Sequence, residues 1–456
     1  MLKPMLDRLY TSFVAGCLFP LHELLKKHRT VQIKQQLEQS QWLSQAQILQ
    51  AQQLRLQGFI RDVCQNVPYY QRLMHELRLS ASDIQTTADL AKLPFLDKTA
   101  IRGHFAELKH AHAGIVRPFT TGGSSGTPLT FLLGNERISH DVAEKWRATR
   151  WWGVDIGDKE IVAWGSPIEL NKQDKIKIWR DRLFRSTLIP AFDLTETTLL
   201  KFIEQIQTTK PAMLFGYPSV FHLIAKTAQQ HQIDLTKLGL KVVFVTSERL
   251  YPYQRELIEQ VFNAPVANGY GGRDAGFIAH QCPSGNMHIS AEDIIVEIID
   301  NDGNCVPDGQ SGEIVVTHLA TSDFPFIRYR TGDIATKSGQ PCPCGRGLPV
   351  LEQIEGRSTD FVIAADGTMM HGLALIYVIR ELAGISNFKI VQESLLLTSV
   401  QLVLDQGVDS TPLLATIEQG LKARLGQQVQ IQFELRDEIA AEASGKYRYV
   451  ISKVTR

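Results

Sequence analysis

A loop rich in glycine and hydroxyl side chains has the composition of a phosphate-binding segment. Residues 120–128 read TTGGSSGTP and include Thr121, Ser124, Ser125, Gly126 and Thr127. Three glycines permit unusual backbone angles, so backbone amides and hydroxyls could wrap a triphosphate. No lysine follows the last glycine, which excludes a Walker loop, and a solvated linker is the open alternative at this point.

A second glycine-rich segment, residues 268–274 (NGYGGRD), follows the strand-like run 265–267. The ring of Tyr270 could lie against a purine beside Gly271, and the carboxylate of Asp274 could face a phosphate-bound Mg²⁺. A glycine-rich turn with a charged rim would have the same composition.

Three further segments carry charged groups in suggestive places. The strand-like run 326–333 (FIRYRTGD) ends in Asp333, whose carboxylate could accept both ribose hydroxyls. Residues 356–360 (GRSTD) could form a hinge that includes Arg357. Lys446, within 444–448 (SGKYR), could reach into a cleft as a point charge, although a solvated surface lysine is the simpler reading of that residue alone.

Taken together, these five motifs resemble those of the adenylate-forming superfamily, in the same order and approximate spacing, over roughly residues 65–456. The short chain, the segment 66–70 (NVPYY) and the terminal SGKYR are similar to the phenylacetate-CoA ligase branch and its capsule-biosynthesis relatives. The resemblance implies that Ser124, Ser125 and Thr127 hold the β and γ phosphates. It also implies an adenine pocket formed by Ser247, Glu248, Arg249 and Tyr270, ribose binding by Asp333 with help from Arg357, and catalysis by Lys446. Asp274 stands where the family usually has Glu as a Mg²⁺ ligand.

The activity that this resemblance implies is ATP-dependent conversion of a carboxylic acid to its acyl-adenylate, with Mg²⁺ and release of pyrophosphate. Transfer to the thiol of CoA, or to an amine acceptor in polysaccharide biosynthesis, would follow. Two alternatives remain open, an adenylyltransferase acting on a hydroxyl or phosphate, and a noncatalytic nucleotide-binding scaffold.

The acid-side motif of the family matches residues 215–219 (FGYPS), which assigns Phe215, Tyr217 and Pro218 to the acyl pocket. The two rings suit an apolar or aromatic acid, but they could equally belong to the core.

Four residues with soft or borderline metal ligands form a separate group. Cys282, His288, Cys342 and Cys344 could bind Zn²⁺ tetrahedrally in a closed structural site. Some members of the resembled family carry a similar zinc site. Reduced thiols in Pro/Gly loops beside a satisfied core histidine are the alternative.

The elements around these motifs predict an α/β fold. Helices are expected over about 31–64, and short apolar runs alternate with amphipathic segments between 115 and 354. The resemblance divides the chain into a large multi-sheet N-terminal adenylation domain (1–355, with 1–100 mainly helical) and a small α+β C-terminal mobile lid domain (356–456). A β–α–β order is expected over 395–435.

Composition restricts the partners. The chain has 48 basic and 48 acidic residues, so its overall charge gives no reason to expect nucleic-acid binding. No apolar run is long enough to cross a bilayer. The segment 13–25 is expected to be an amphipathic helix packed on the body, with peripheral membrane contact as the alternative. Six cysteines are too few for a disulfide scaffold and indicate a cytoplasmic protein, and the family allows a homodimer.

Overall fold

The computed structural model of the chain describes residues 2–120, 129–164, 175–191, 196–357, 361–367, 369–380, 382–439 and 448–454. The chain divides into two compact units. The first contains Met1–Thr331 and Ala335–Ile354, and the second contains Gly332–Ile334 and Glu355–Arg456. The domain limits and the mobility of a lid, as predicted from the sequence, stay predictions.

A mixed sheet, eleven-stranded within the described residues, dominates the first unit. Its strand order is β10-β11-β12-β13-β9-β8-β7-β6-β5-β3-β4. One half is parallel, with neighbouring strands joined through helices that cover the sheet. Its strands are β3 (Glu160–Trp164), β4 (Ser186–Pro190), β5 (Met213–Gly216), β6 (Val242–Thr246) and β7 (Val266–Gly272). Strand β6 is buried along its whole length because helices pack on both faces of a parallel sheet.

The other half of the sheet is built from hairpins. Antiparallel pairs join β7 to β8, β8 to β9, β9 to β13 and β10 to β11. Its strands are β8 (Gly276–Gln281), β9 (Met287–Ile289), β10 (Ile294–Ile299), β11 (Ser311–His318), β12 (Phe326–Ser338) and β13 (Val350–Arg357). Strands β10 and β11 form a hairpin, and Gly303 at φ 85° makes possible the tight turn that follows β10.

The N-terminal region is mainly helical. Two helices, Leu2–Phe13 and Phe19–Leu25, are joined by a π-helical turn at Val14–Leu18. The other helices in the described part of this unit are Thr30–Ser40, Gln45–Asn66, Pro68–Glu76, Lys98–Gly103, Asn135–Arg150, Lys175–Leu183, Glu196–Thr209, Pro218–Gln230 and Pro252–Phe262, with 3₁₀ turns at Ala81–Asp83 and Ala88–Lys92. A capping box at Ser44, whose hydroxyl accepts from the amide of Gln47, begins the longest of them.

The two largest apolar clusters among the described residues hold these layers together. One packs the helices Gln45–Asn66 and Pro68–Glu76 against the antiparallel half of the sheet, with Leu56 and Tyr329 fully buried. The other packs the helices of the parallel half on β5 and β6. A small antiparallel hairpin of β1 (Val116–Thr120) and β2 (Thr130–Gly134) lies beside them, with Thr120 paired to Thr130.

The helix Asn135–Arg150 buries charged side chains as well as apolar ones. Arg147 donates to Glu144 Oε2 at 2.6 Å and to Glu292 Oε1 at 2.7 Å. His140 Nδ1 forms an ion pair with the buried carboxylate of Asp293, which also pairs with Arg55. The group therefore ties three parts of the first unit together through ion pairs, and removing one partner would leave a buried charge uncompensated.

The second unit has its own four-stranded sheet in the order β18-β17-β16-β19. Its strands are β16 (Ile385–Ser394), β17 (Leu397–Leu404), β18 (Gln430–Leu435) and β19 (Val450–Ser452), next to a hairpin of β14 (Phe361–Ile363) and β15 (Met369–His371). Its helices are Leu373–Arg380 and Ser410–Leu425. Strand β17, the second helix and the parallel strand β18 form the β–α–β unit predicted from the sequence, and the α/β fold class with a smaller α+β unit is confirmed.

Among the residues that the structure describes, none of the helices combines the length and apolar character that a bilayer span requires.

Candidate active site

Four adjacent parallel strands bring several predicted site residues to one edge of the sheet. Neighbouring pairs align Ala163 with Gly216 and Thr246 with Gly269, so β3, β5, β6 and β7 end at the same edge. The residues at or just beyond these ends include Trp164, Tyr217, Ser247 and Tyr270. The crevice outside the carboxyl ends of parallel strands is where ligands bind in open α/β sheets. We call this region the carboxyl edge.

Aromatic rings line one side of the carboxyl edge. The Trp164 ring stacks on Tyr217, with centroids 4.8 Å apart and planes 22° apart. Phe215 lies between Trp164 and Phe244, at centroid distances of 6.2 Å and 5.7 Å. The rings of Phe215 and Tyr217 are both buried. The stack forms an apolar wall beside the strand ends, and Trp164 is a member that sequence reasoning missed.

Gly216, between the two predicted pocket residues, has no room for a side chain. A Cβ there would lie 2.2 Å from the carbonyl oxygen of Ala163, and its φ of 151° disfavours other residues. Lys145 is a second neighbour that the sequence did not indicate. Its ammonium lies 4.6 Å from the Phe215 ring centroid and 3.0 Å from Glu160 Oε2. The predicted acid-side segment is thus fixed tightly to the sheet, with Pro218 buried in the first turn of the next helix.

The predicted adenine-side segment turns sharply after β6. Ser247 has φ 70°, a left-handed conformation that is uncommon for residues other than glycine. Glu248 Oε2 accepts a hydrogen bond of 3.2 Å from the amide of Ser219, near the start of the helix Pro218–Gln230. A carboxylate there is favoured by the unpaired amides and the helix dipole. Arg249 lies over the Tyr251 ring, 5.5 Å from its centroid.

The hairpin of β7 and β8 carries Tyr270 and Gly271 near the end of β7 and Asp274 in the turn that follows. A Cβ at Gly271 would lie 2.1 Å from the carbonyl oxygen of Gly276, so the glycine is required by close strand packing. Asp274 Oδ2 accepts a hydrogen bond of 2.7 Å from the phenol of Tyr329. Tyr329 is fully buried, and its partnership orients the carboxylate proposed for Mg²⁺. The tyrosine lies within the ribose motif, but the motif gave no signal for this contact.

The remaining predicted nucleotide residues belong to the second unit or lie outside the described residues. Asp333 is half-buried in β12 and belongs to the second unit, as does Arg357 in β13. The predicted phosphate-loop residues Thr121, Ser124, Ser125, Gly126 and Thr127, and the predicted catalytic Lys446, lie outside the described residues. The described chain ends at Thr120, in β1, and resumes at Leu129, just before β2.

The four predicted metal ligands converge within the first unit. The ligand atoms of Cys282, His288, Cys342 and Cys344 all lie within 4.8 Å of one another. Two thiolates bound to one Zn²⁺ at about 2.3 Å and a tetrahedral angle would be about 3.8 Å apart. The Cys282 and Cys342 sulfurs are separated by 3.7 Å. The donor set and its spacing therefore fit a closed zinc site.

Neighbouring polar groups prepare these side chains for a metal. His288 Nδ1 lies 3.2 Å from the carbonyl oxygen of Leu348, which can only accept, so this nitrogen carries the proton. Nε2 is then free to coordinate, and it faces Cys344 Sγ at 3.2 Å. Burial lowers the pKa of His288 to about 4, which keeps the imidazole neutral. Asn286 donates to Cys342 Sγ at 3.1 Å, a contact that favours thiolate.

Comparisons with known proteins agree with this architecture. The family of AMP-binding enzymes matches residues 185–321, and the CapK C-terminal domain family matches residues 362–453. Protein CapK of Staphylococcus aureus is 24% identical over 410 residues, covering 89% of this chain and 90% of that protein. Phenylacetate-coenzyme A ligase of Aromatoleum evansii is 26% identical over 334 residues, covering 72% and 74%.

A solved structure has the same fold. 2-Hydroxyisobutyryl-CoA ligase, in the postadenylation state in complex with R3-HIB-AMP, superposes with a TM-score of 0.72 at 22% identity over 91% of both chains. The chain is an AMP-binding enzyme of the adenylate-forming class. Within that class, the match to the CapK C-terminal domain and the curated relatives support the branch that contains CapK and the phenylacetate-CoA ligases, as the motifs indicated.

Proposed function

We propose that the protein activates a carboxylic acid with ATP and transfers the acyl group to the thiol of CoA. The observation that supports this most strongly is the carboxyl edge, where a buried aromatic wall lies beside the residues expected to receive adenine. An acid held against Trp164 and Tyr217 would have its carboxylate near a nucleotide held by Ser247 and Tyr270.

The proposed reaction has two steps. A carboxylate oxygen attacks the α-phosphorus of ATP, and the bond from that phosphorus to the pyrophosphate oxygen breaks. The CoA sulfur, having lost its proton, then attacks the acyl carbon, and AMP leaves with the bridging oxygen. The protein's work in the first step is mainly to position two anions and neutralise charge.

Individual roles follow the sequence assignments. Asp274, oriented by the Tyr329 phenol, would hold Mg²⁺, which neutralises phosphate charge. The hydroxyls of residues 121–127 would bind the β and γ phosphates. Asp333 with Arg357 would bind ribose, and Lys446 would stabilise the charge that develops during attack. These assignments rest on the motifs.

The acid is proposed to be apolar or aromatic. The side chains of Phe215, Tyr217 and Trp164 offer ring faces, and the relatives named above include enzymes for phenylacetate. An amine acceptor in polysaccharide biosynthesis is a narrower alternative to CoA, suggested by the likeness to CapK. We further propose a cytoplasmic enzyme, with a homodimer as its candidate assembly.

A structural Zn²⁺ is proposed at Cys282, His288, Cys342 and Cys344. Four protein ligands leave no open position, so the metal would stabilise the fold without taking part in the reaction. Elemental analysis of the purified full chain should give about one zinc per chain. Protein that is free of metal and loses no stability with a chelator would contradict the proposal.

The function is tested by screening carboxylic acids for acid-dependent exchange of labelled pyrophosphate into ATP, with and without CoA. Exchange that requires an acid, followed by thioester formation when CoA is added, is the expected result. AMP transfer to a hydroxyl or phosphate without any acid would instead identify an adenylyltransferase. ATP binding with no exchange across the library would favour a noncatalytic scaffold.

A further inference from the structure

Two neighbouring helices on the first unit expose an unusual amount of apolar surface. Eight of the seventeen strongly exposed large apolar side chains in the described part of the chain lie on the N-terminal helical segment 2–25 and the helix Lys175–Leu183. They are Leu6, Leu9, Phe13, Leu21, Leu24, Leu25, Trp179 and Leu183. Single exposed apolar residues are ordinary, but such a concentration marks an interaction surface. We call these eight residues the apolar face.

The spacing shows why the N-terminal part of this face is continuous. Leu6, Leu9 and Phe13 follow steps of three and four residues, and the exposed Cys17, Leu21 and Leu24 continue them. Steps of three and four keep side chains on one side of a helix. The opposite side packs on the body through Val14 and Phe19, both buried. The segment therefore has two apolar sides. One packs on the body of the first unit, and the other is exposed.

Specific contacts place the second helix beside the first. The Tyr10 hydroxyl donates to the carbonyl oxygen of Leu183 at 3.0 Å. Arg185 pairs with Asp7 Oδ1 at 3.0 Å and lies over the Tyr10 ring. Phe184 meets the Phe19 ring at a centroid distance of 6.1 Å. The exposed side chains of both helical segments therefore lie on one region of the surface.

The same region is strongly basic. Residues 1–29 contain five basic and two acidic side chains, and residues 175–185 contain five basic and one acidic, a formal excess of seven positive charges in a chain with no net charge. The acidic groups are already engaged: Asp7 pairs with Arg185, Asp181 pairs with Arg180, and Glu23 is buried. Positive charge around an apolar face complements an anionic surface.

Several basic side chains lie close to one another at the edge of this face. Burial lowers the pKa of Lys26, and the positive charges of Arg180 and Arg117 lower it further. Arg182 lies 5.9 Å from the centroid of the exposed Trp179 ring. Tryptophan beside arginine suits the interfacial region of a bilayer, where a ring is half in hydrocarbon and a guanidinium meets phosphates.

We propose that this apolar face docks peripherally on the surface of an anionic phospholipid bilayer. The helices would lie in the plane of the interface, with the leucines and Trp179 inserted and the basic side chains at headgroup level. No spanning segment is needed. None of the eight residues belongs to the carboxyl edge as defined above, so the proposal does not depend on the proposed acid or acceptor.

The test is flotation of the full chain with vesicles of phosphatidylcholine alone, and with vesicles in which part of it is replaced by phosphatidylglycerol. The wild-type chain should float with the anionic vesicles. Binding should weaken strongly as NaCl is raised from 0.1 to 0.5 M, because the Debye length falls from about 10 Å and the attraction between the basic side chains and the lipid headgroups is screened. The double variant Leu24→Glu/Leu25→Glu should lower the partition coefficient by roughly tenfold or more. Leu54→Glu, equally exposed on another helix, is the matched control and should bind as wild type.

A second, independent variant tests the charge. Arg8→Glu/Arg182→Glu should weaken binding to anionic vesicles only, whereas Lys237→Glu, at a fully solvated position, should not. Thermal melting checks that each variant is folded. Absence of flotation, equal binding to both vesicle types, or unchanged binding of the double leucine variant would overturn the proposal. So would a wild-type dimer that dissociates in the Leu24→Glu/Leu25→Glu variant, because the face would then be a self-association surface.

Discussion

The two halves of the large sheet place their polar groups differently. In the parallel half, strand β6 is wholly buried, and the polar groups with proposed roles stand at the carboxyl ends, as Ser247 does. In the antiparallel half, charged and metal-ligating groups are buried within the layers, as with His288 and Asp293. Polar groups at the carboxyl ends of the parallel strands are placed where they could bind a substrate. The buried polar groups of the antiparallel half instead pair with one another. We therefore expect the carboxyl edge to control activity and the buried polar groups to control stability.

The largest expected effect is on activity alone. Lys446→Ala should reduce acid-dependent pyrophosphate exchange by about 10³-fold, the loss typical when one charge-stabilising donor is removed from a preorganised site. ATP affinity and melting temperature should change little. Lys453→Ala, another lysine of the second unit that pairs with Glu393, is the matched control. Full exchange activity in the Lys446 variant would remove that residue from the mechanism.

The next effect should be on stability. Cys342→Ser removes one ligand of the proposed zinc site, so the bound zinc should be lost. The free energy of unfolding should fall by about 2–5 kcal/mol, as when a structural bridge is removed. Urea unfolding with parallel metal analysis measures both. Cys305→Ser, a thiol outside the cluster, should keep the metal and the stability. An unchanged metal content in the Cys342 variant would contradict the site.

The buried ion pair of His140 predicts a loss of stability at alkaline pH. Burial opposes the charged imidazole, but the carboxylates of Asp293 and Glu136 outweigh burial and raise the pKa of His140 to about 9. A raised pKa means that its stabilisation is complete below pH 6.5 and is lost as pH rises through about 9. For a shift of this size the loss is roughly 3 kcal/mol.

Urea unfolding at pH 6 and pH 10 measures this loss. Because other groups titrate over the same range, the comparison is with His140→Gln, whose stability should fall less between the two pH values than that of wild type. His112→Gln, at an exposed histidine, should behave as wild type. Identical pH dependence in wild type and His140→Gln would refute the assignment.

The smallest effect should fall on the edge of the proposed magnesium site. Tyr329→Phe removes only the hydroxyl that donates to Asp274, a hydrogen bond to a charged group with a contribution of about 1.5 kcal/mol or more. We expect the Mg²⁺ concentration needed for half-maximal exchange to rise about tenfold. Tyr69→Phe is the control, and a change in maximal rate without a change in Mg²⁺ dependence would argue against this role.

Much of the fold was accessible from local sequence signals. The hairpin of β10 and β11 and the helix–strand order after Leu397 follow from turn residues and apolar periodicity, which depend on near neighbours. The strand Ile385–Ser394 was missed, although it is the centre of the sheet in the second unit. Its pairing with β19 depends on residues about sixty positions away, which no local pattern contains.

The candidate sites were predictable only where a contiguous motif or a shared residue type marks their members. The pair Phe215 and Tyr217 could be assigned to a pocket, but Trp164 stacks on them from another strand and has no motif of its own. Likewise, the four metal ligands could be grouped by residue type, whereas the carbonyl oxygen of Leu348 that fixes the His288 tautomer is a backbone contact without a sequence signature. In each case the missing contact comes from a residue that is distant in the sequence and close only in the folded structure.

The N-terminal helix shows a different shortfall. Its amphipathic pattern predicted packing on the body, and the structure confirms this for Val14 and Phe19. The exposure of Leu24 and Leu25, and the neighbouring helix that enlarges the face, depend on tertiary structure. Whole-chain neutrality also concealed the local excess of basic residues.

The central claim is that a carboxylate oxygen becomes bonded to the α-phosphorus of ATP. The most direct measurement uses an accepted acid labelled with ¹⁸O in its carboxylate, together with ATP, Mg²⁺ and CoA, and mass spectrometry of the AMP released. The account predicts AMP that carries one ¹⁸O from the acid, with no label in pyrophosphate. Unlabelled AMP formed alongside the acyl product would contradict it.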